Sequence, residues 1–194
     1  MGENIEECSS ARERVILSLE KYTKGKVNAA IESLQGEGVS PQLVIVFGSA
    51  IRGKELTVFP RWDVDVLIVV EELPKKMAER GLIIDGEKYS PVAPVVDRRV
   101  NFLELQPAGA MGWKSPQRGL HIQLGDLSWL GERAMKENNA DFVHQIFKEG
   151  VLLWERKLGL TEELCEQRGL PLPSPDTETR WSSLVVEKQG NRII

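Results

Sequence analysis

Two aspartates separated by one residue are the most informative chemistry in this chain. Asp63 and Asp65 open the apolar run Asp63–Val70, which reads as a β-strand. In an extended strand, side chains two positions apart share a face and stand about 7 Å apart along the chain. Both carboxylates can therefore point at one place, and carboxylate oxygens are the ligands that Mg²⁺ prefers. The spacing predicts a binding site for one or two Mg²⁺ ions at the start of this strand.

A glycine and a small hydroxyl residue follow the strand that precedes these aspartates. The strand is expected over Leu43–Phe47, and Gly48-Ser49 makes the turn after it. Glycine lets backbone N–H groups approach a phosphate closely, and the start of a helix favours negative charge. Arg52 and Lys54 follow and could offset further negative charge. A metal-binding site beside a phosphate-binding loop is what phosphoryl or nucleotidyl transfer requires.

Taken together, these residues resemble a known family. The order Gly-Ser-x-x-Arg-Gly, a gap, Asp-x-Asp and then Leu-Ile-Val-Val is similar to the signature of the DNA polymerase β-type nucleotidyltransferases, and is nearest to their small, stand-alone minimal branch. The likeness covers residues 43–70. Two features depart from the family pattern: the gap between Gly48 and Asp63 is longer than in compact members, and Trp62 stands where serine is common.

The resemblance implies a role for each matching residue. Asp63 and Asp65 would bind Mg²⁺, or Mn²⁺ in its place. The other predicted contacts are to the phosphates of the NTP substrate, from Gly48, Ser49, Arg52 and Lys54. For Arg52 and Lys54, an ordinary surface charge is an equally good reading.

Active members of the family carry a third carboxylate on a neighbouring strand, which completes one metal shell and acts as base. The matching strand here is Leu120–Leu124, and its acidic position holds His121. Imidazole accepts protons near neutral pH but suits Mg²⁺ poorly. Glu104 is the preferred substitute as the third catalytic acid, with Asp97 and Asp126 as further candidates. The plainer readings are that His121 is a histidine on the sheet surface and that Asp-x-Asp is a solvated strand end.

Composition narrows the choice of partner. The chain has 194 residues, 41% hydrophobic and 28% charged, with a net charge of −4 and two cysteines, Cys8 and Cys165. A grip on nucleic acid usually needs a basic stripe. We therefore expect a nucleoside triphosphate rather than a polynucleotide, together with a helical partner protein as an alternative. An acidic N-terminus and no apolar run near the roughly 20 residues of a membrane span predict a cytoplasmic protein with reduced thiols.

The pattern of elements predicts an α+β fold with α/β-like character, in which helices pack against a small mixed β-sheet. An N-terminal helical segment is expected over residues 1–38, with its apolar positions at helical spacing, and a nucleotidyltransferase-like core over 39–168. The core carries an insertion around 82–119, read as hairpin-like. A helix capped by Asn138 or Asn139 is expected to end at Gly150. Residues 169–194 form a proline-rich linker and tail.

Two functions follow from this reading. The first is a Mg²⁺-dependent nucleotidyltransferase that moves a nucleoside monophosphate from an NTP to a hydroxyl on a protein, a small molecule or an RNA end. The alternative is a module of the same fold that has lost catalysis and binds nucleotide or a partner protein, as an antitoxin-like subunit would. A metal-dependent phosphohydrolase is a third reading, but no His-Asp metal cluster of that kind is present in the sequence.

Overall fold

The computed structural model describes residues 22–48, 63–92, 101–108, 119–135 and 141–173. Several predicted residues lie outside these ranges: Cys8, Ser49, Arg52, Lys54, Trp62 and Asp97. Asp63 is described only as a strand position, without its side chain.

Seven strands of the described chain form one mixed β-sheet. In chain order they are β1 (Pro41–Phe47), β2 (Asp63–Val70), β3 (Leu82–Ile84), β4 (Glu87–Pro91), β5 (Phe102–Pro107), β6 (Gly119–Asp126) and β7 (Val151–Glu155). Across the sheet the order is β3-β4-β5-β6-β2-β1-β7. β2 and β6 are parallel, whereas β1 runs antiparallel to both β2 and β7. The predicted mixed sheet with packed helices is confirmed.

Five helices accompany the sheet within the described residues. The first, α1, occupies residues 22–36. The other four are α2 (Lys75–Arg80), α3 (Leu127–Ala134), α4 (Phe142–Glu149) and α5 (Leu160–Arg168).

The central strands are buried on both faces. Every residue of β1 is buried, and Val64 and all residues from Val66 to Val70 are fully buried in β2. An apolar run without alternation predicts such a strand, because a strand covered on both sides needs no polar face. The sequence predicted β2 with its observed limits.

Helix α1 packs through the apolar positions that its spacing predicted. Val27, Ala30, Ile31 and Leu34 are buried, and Gly25 does not interrupt the helix. Its polar side holds the β3–β4 hairpin: Lys26 Nζ lies 3.4 Å from carboxylate oxygens of both Asp85 and Glu87. Ser33 Oγ also donates a hydrogen bond of 2.5 Å to the carbonyl oxygen of Ile83.

The β3–β4 hairpin and β5 extend the main sheet beyond β6. The hairpin turns at Asp85-Gly86, and both residues have positive φ, 52° and 76°. Two-residue hairpin turns favour this geometry because its twist matches that of the strands. The predicted insertion around 82–119 therefore contributes three strands to the sheet edge in its described part.

Helices α3 and α4 pack on the face of the sheet that carries Leu67 and Val69. The Phe102 and Trp129 rings stack with centroids 4.7 Å apart, and Phe47 meets Phe142 edge to face at 5.7 Å. The sequence did not predict α3. It also misplaced the start of α4: Asp141 caps that helix by accepting from Val143 N, in place of Asn138 or Asn139. None of the described helices has both the length and the apolar character needed to cross a bilayer.

Candidate active site

Asp65 and Gly48 meet where β1 ends. Phe47 and Asp65 are register partners, so Gly48 turns away beside the Asp65 carboxylate. Gly48 has φ +81°, and a Cβ atom added to it would overlap Asp65 Oδ2. A side chain at Gly48 would therefore strain the backbone and would also displace the Asp65 carboxylate. The fold brings two predicted site residues together and points one carboxylate oxygen at the glycine bend.

His121 lies directly beside Asp65 on the neighbouring strand. β6 is parallel to β2, with Asp65 and His121 in register. His121 Nδ1 lies 3.0 Å from Asp65 Oδ1. The neighbour of Asp65 on β6 is therefore an imidazole and not a carboxylate.

Glu104 reaches the same cluster from one strand farther away. β5 pairs with β6 and is separated from β2 by it. Glu104 pairs with Gln123, two residues along β6 from His121, so these side chains share one face with Asp65. Glu104 Oε1 lies 2.5 Å from His121 Nε2, a close ion-pair contact without the direction of a good hydrogen bond. The imidazole stands between the two carboxylates.

The charges of this cluster favour a protonated ring. The hydrogen bond to Asp65 raises the pKa of His121 above its ordinary value; burial opposes this, and the Glu104 charge adds to it. The side chains of His121, Asp65 and Glu104 are 19%, 28% and 38% exposed, so the cluster is partly open to solvent. The two neighbouring carboxylates therefore favour the imidazolium over the neutral ring.

Gln123 is a polar residue of this face that the sequence analysis did not single out. It is 7% exposed, and its side-chain Oε1 is buried without a hydrogen-bond partner in the described structure. It stands between Leu67 and Glu104 in register. A polar residue within this strand was the signal that could have identified Gln123. Alternation along Leu120–Leu124 places its side chain on the same face as that of His121.

Two other titratable residues, the candidate Asp126 and the histidine His144, make their contacts away from Asp65. Asp126 is buried at the far end of β6, where Oδ1 accepts from Trp129 N at 2.8 Å and Ser128 Oγ at 2.9 Å, so it caps α3. His144 is half-buried on α4, with Nε2 3.4 Å from the Ala134 carbonyl oxygen. Neither residue belongs to the Asp65 cluster.

The donor set fits a hard cation in part. Asp65 Oδ2 at the bend and the Glu104 carboxylate are oxygen ligands of the kind that Mg²⁺ takes. The His121 ring is not, and the described side chains include no group of three acidic, histidine or cysteine residues placed to hold a metal ion. The side chain of Asp63, the other predicted ligand, is outside that description. Among the described side chains, the Asp65 and Glu104 carboxylates are therefore the groups that could contact a cation.

Comparison of the chain with protein-family models, with curated proteins and with solved structures finds no match. The likeness to the polymerase β-type nucleotidyltransferases therefore stays a prediction, and what supports a function is the geometry of Gly48, Asp65, His121 and Glu104.

Proposed function

We propose that this protein is a Mg²⁺-dependent nucleotidyltransferase that transfers a nucleoside monophosphate from an NTP to a hydroxyl acceptor. The observation that carries the proposal is the contact between Gly48 and Asp65. A carboxylate oxygen lies against a glycine whose positive φ disfavours any side chain. Phosphoryl-transfer sites mainly position groups and balance charge, and a carboxylate held beside a glycine bend can contribute to both.

Asp63 and Asp65 would hold the cation, which when bound neutralises triphosphate charge and activates the attacking oxygen. The residues of the chain fix the geometry around it. His121 restrains one oxygen of Asp65 and leaves the other at the Gly48 bend. Gly48 and Ser49 would bind terminal phosphates through backbone N–H groups, with Arg52 and Lys54 offsetting their charge.

Glu104 remains the proposed acceptor of the proton from the attacking hydroxyl. It is the most exposed of the three clustered side chains and contacts the His121 ring, which in turn contacts Asp65. A proton accepted by Glu104 would stay among the three side chains that contact one another, those of Glu104, His121 and Asp65. The acceptor hydroxyl belongs to a protein, a small molecule or an RNA end.

One observation favours the second candidate, a module of the same fold that binds nucleotide or a partner protein without turnover. The residue beside Asp65 on β6 is His121 and not a carboxylate, and Glu104 is one strand too far to stand in its place directly. Such a module would keep nucleotide binding and lose transfer.

Incubation with the four α-labelled NTPs, Mg²⁺ and acceptors of each class tests both candidates. Transfer of label, to the protein itself or to an added acceptor, is expected from the unmodified protein and is expected to vanish in Asp63→Ala. Glu72→Ala, which removes an exposed carboxylate just beyond β2, is the matched control and should keep the activity. Nucleotide binding without any transfer would favour the non-catalytic module, and absence of both would remove the proposal.

A further inference from the structure

Helix α5 carries an arginine on the side that packs against the protein interior. Thr161, Leu164 and Cys165 are buried, and Arg168 follows them on the same face, one turn beyond Leu164 and Cys165. The Arg168 side chain belongs to a residue that is itself half-buried. Charged side chains in such a position usually have a partner of opposite charge.

A glycine in helix α3 leaves room for the Arg168 guanidinium. Gly131 is buried, and a Cβ atom added to it would overlap Arg168 Nη1 and lie 3.2 Å from Arg168 Cζ. Glycine is less favourable than alanine inside a helix, so its presence in α3 needs a reason. The contact with Arg168 supplies that reason and places the guanidinium between α3 and α5.

Within the described part of the chain, the Arg168 guanidinium has neither a hydrogen-bond acceptor nor an ion-pair partner. Its Nε atom is buried and meets no acceptor. The ion pairs between described residues do not include Arg168. A guanidinium has five N–H donors and keeps its charge at every physiological pH. A buried donor and a half-buried charge are unfavourable unless acceptor oxygens are supplied to them.

The acidic side chains of α3 and α5 do not supply those oxygens. All of them belong to exposed residues: Glu132 in α3, and Glu162, Glu163 and Glu166 in α5. Glu132 accepts a hydrogen bond from Asn101 Nδ2, and Glu163 pairs with Lys157. The positive charge between the two helices is therefore not balanced by an acid of either helix.

We propose that the contact between α3 and α5 is a binding site for an oxyanion, a phosphate or carboxylate group bound by the Arg168 guanidinium. The planar fork of a guanidinium matches two oxygens of such a group. Free phosphate is one source of these oxygens. The other is the chain's own C-terminal segment, where Asp176 and Glu178 follow α5 outside the described residues. The proposal does not depend on the proposed function.

Thermal unfolding of the full chain in increasing sodium phosphate tests the site, with NaCl adjusted to keep the ionic strength constant. Phosphate that is excluded from protein surfaces stabilises gradually, whereas stabilisation by binding follows a saturating curve. At about ten times the dissociation constant, binding shifts the folding equilibrium about 11-fold and raises Tm by roughly 3–6 °C. Such a rise in the unmodified protein identifies free phosphate as a ligand. A rise that appears only after Asp176→Asn and Glu178→Gln together identifies the C-terminal segment as the occupant.

Two substitutions should abolish the saturating rise in whichever of these two proteins shows it. Arg168→Gln removes the charge, and Gly131→Ala keeps the arginine but displaces Nη1 from its position. Arg133→Gln removes an exposed arginine of α3 and is the matched control, so it should leave the rise unchanged. The absence of a saturating rise from both proteins, or an equal rise after Arg168→Gln, would overturn the proposal.

Discussion

Replacing Gly48 by alanine probes the contact on which the site depends. An alanine at φ +81° costs about 1–2 kcal/mol, because its Cβ crowds the backbone in the left-handed region. The new Cβ would also overlap Asp65 Oδ2, so the carboxylate must shift, and we expect it to lose its hydrogen bond to His121. Such a bond at a partly exposed site is worth about 1–2 kcal/mol. We expect Gly48→Ala to lower the free energy of unfolding by about 2–4 kcal/mol.

Two other glycines separate these contributions. Gly86 has φ +76° with nothing within 4 Å of an added Cβ, so Gly86→Ala should show the backbone cost alone. Gly36 lies in α1 with open space around it and no positive φ. Gly36→Ala should be neutral or stabilising by about 0.5–1 kcal/mol, since alanine suits a helix better than glycine.

Urea unfolding of the metal-free protein, followed by circular dichroism in EDTA, measures all three variants. A loss of about 2–4 kcal/mol corresponds to a fall in Tm of roughly 5–15 °C for a chain of this size. The difference between Gly48→Ala and Gly86→Ala isolates the contact with Asp65. Equal losses in the two variants would refute the placement of the Asp65 carboxylate against the bend, and with it the basis of the proposed site.

Three further predictions concern the framework. Asp126→Ala removes the cap of α3 and should cost about 1–2 kcal/mol in urea unfolding, whereas Ser128→Ala, which removes one of its two hydrogen bonds, should cost less; equal costs would contradict the cap. Glu155→Ala leaves the N–H groups of Gly159 and Thr161 without their buried acceptor and should lower the free energy of unfolding by about 2–4 kcal/mol. Replacement of the exposed Glu163 by alanine is the control and should cost under about 1 kcal/mol; similar losses in both variants would argue against the Glu155 contacts. Burial raises the pKa of Cys165 to about 11, so its thiol stays neutral in the folded protein, and its contribution to stability is full below pH 9 and lost as pH rises towards 11. Cys165→Ala should remove that part of the alkaline loss, and in a Cys8→Ser background a thiol reagent at pH 8 should react only after unfolding; rapid reaction of the native protein would contradict the burial.

The sequence predicted the centre of the fold well, because its signals are local. β1, β2 and α1 each carry an apolar pattern that only one kind of element satisfies. Helix α3 was missed because it follows β6 without a break. The only mark of the boundary is Asp126, which serves both as the last strand residue and as the helix cap, and Gly131 within the helix reads as an interruption. The cap of α4 was misplaced for a related reason, since Asn138, Asn139 and Asp141 are all good caps and the structure uses the last.

The sequence predicted those parts of the candidate site that do not depend on the order of distant strands in the sheet. Spacing brings Asp65 toward the Gly48 bend, and that depends only on β1 and β2 pairing as neighbours. Glu104 was preferred as the third acid because it lies within a predicted strand. Its distance from Asp65 depends on β6 lying between β5 and β2, a pairing across long stretches of chain that no local pattern encodes. The same pairing places Gln123 beside the cluster.

The hydrogen bond from Ser33 to Ile83 bears on how the molecule avoids edge-to-edge strand pairing with other copies of itself. In the described part of the chain β3 is one of the two edge strands of the sheet, and Ile83 exposes 64% of its surface there. An outer strand with free carbonyl groups invites another chain to add itself. A helix hydroxyl already uses the Ile83 carbonyl oxygen, and the Lys26 charge stands beside the turn. Removing the Ser33 hydroxyl should therefore affect the stability of one molecule less than the tendency of concentrated samples to form fibrous aggregates.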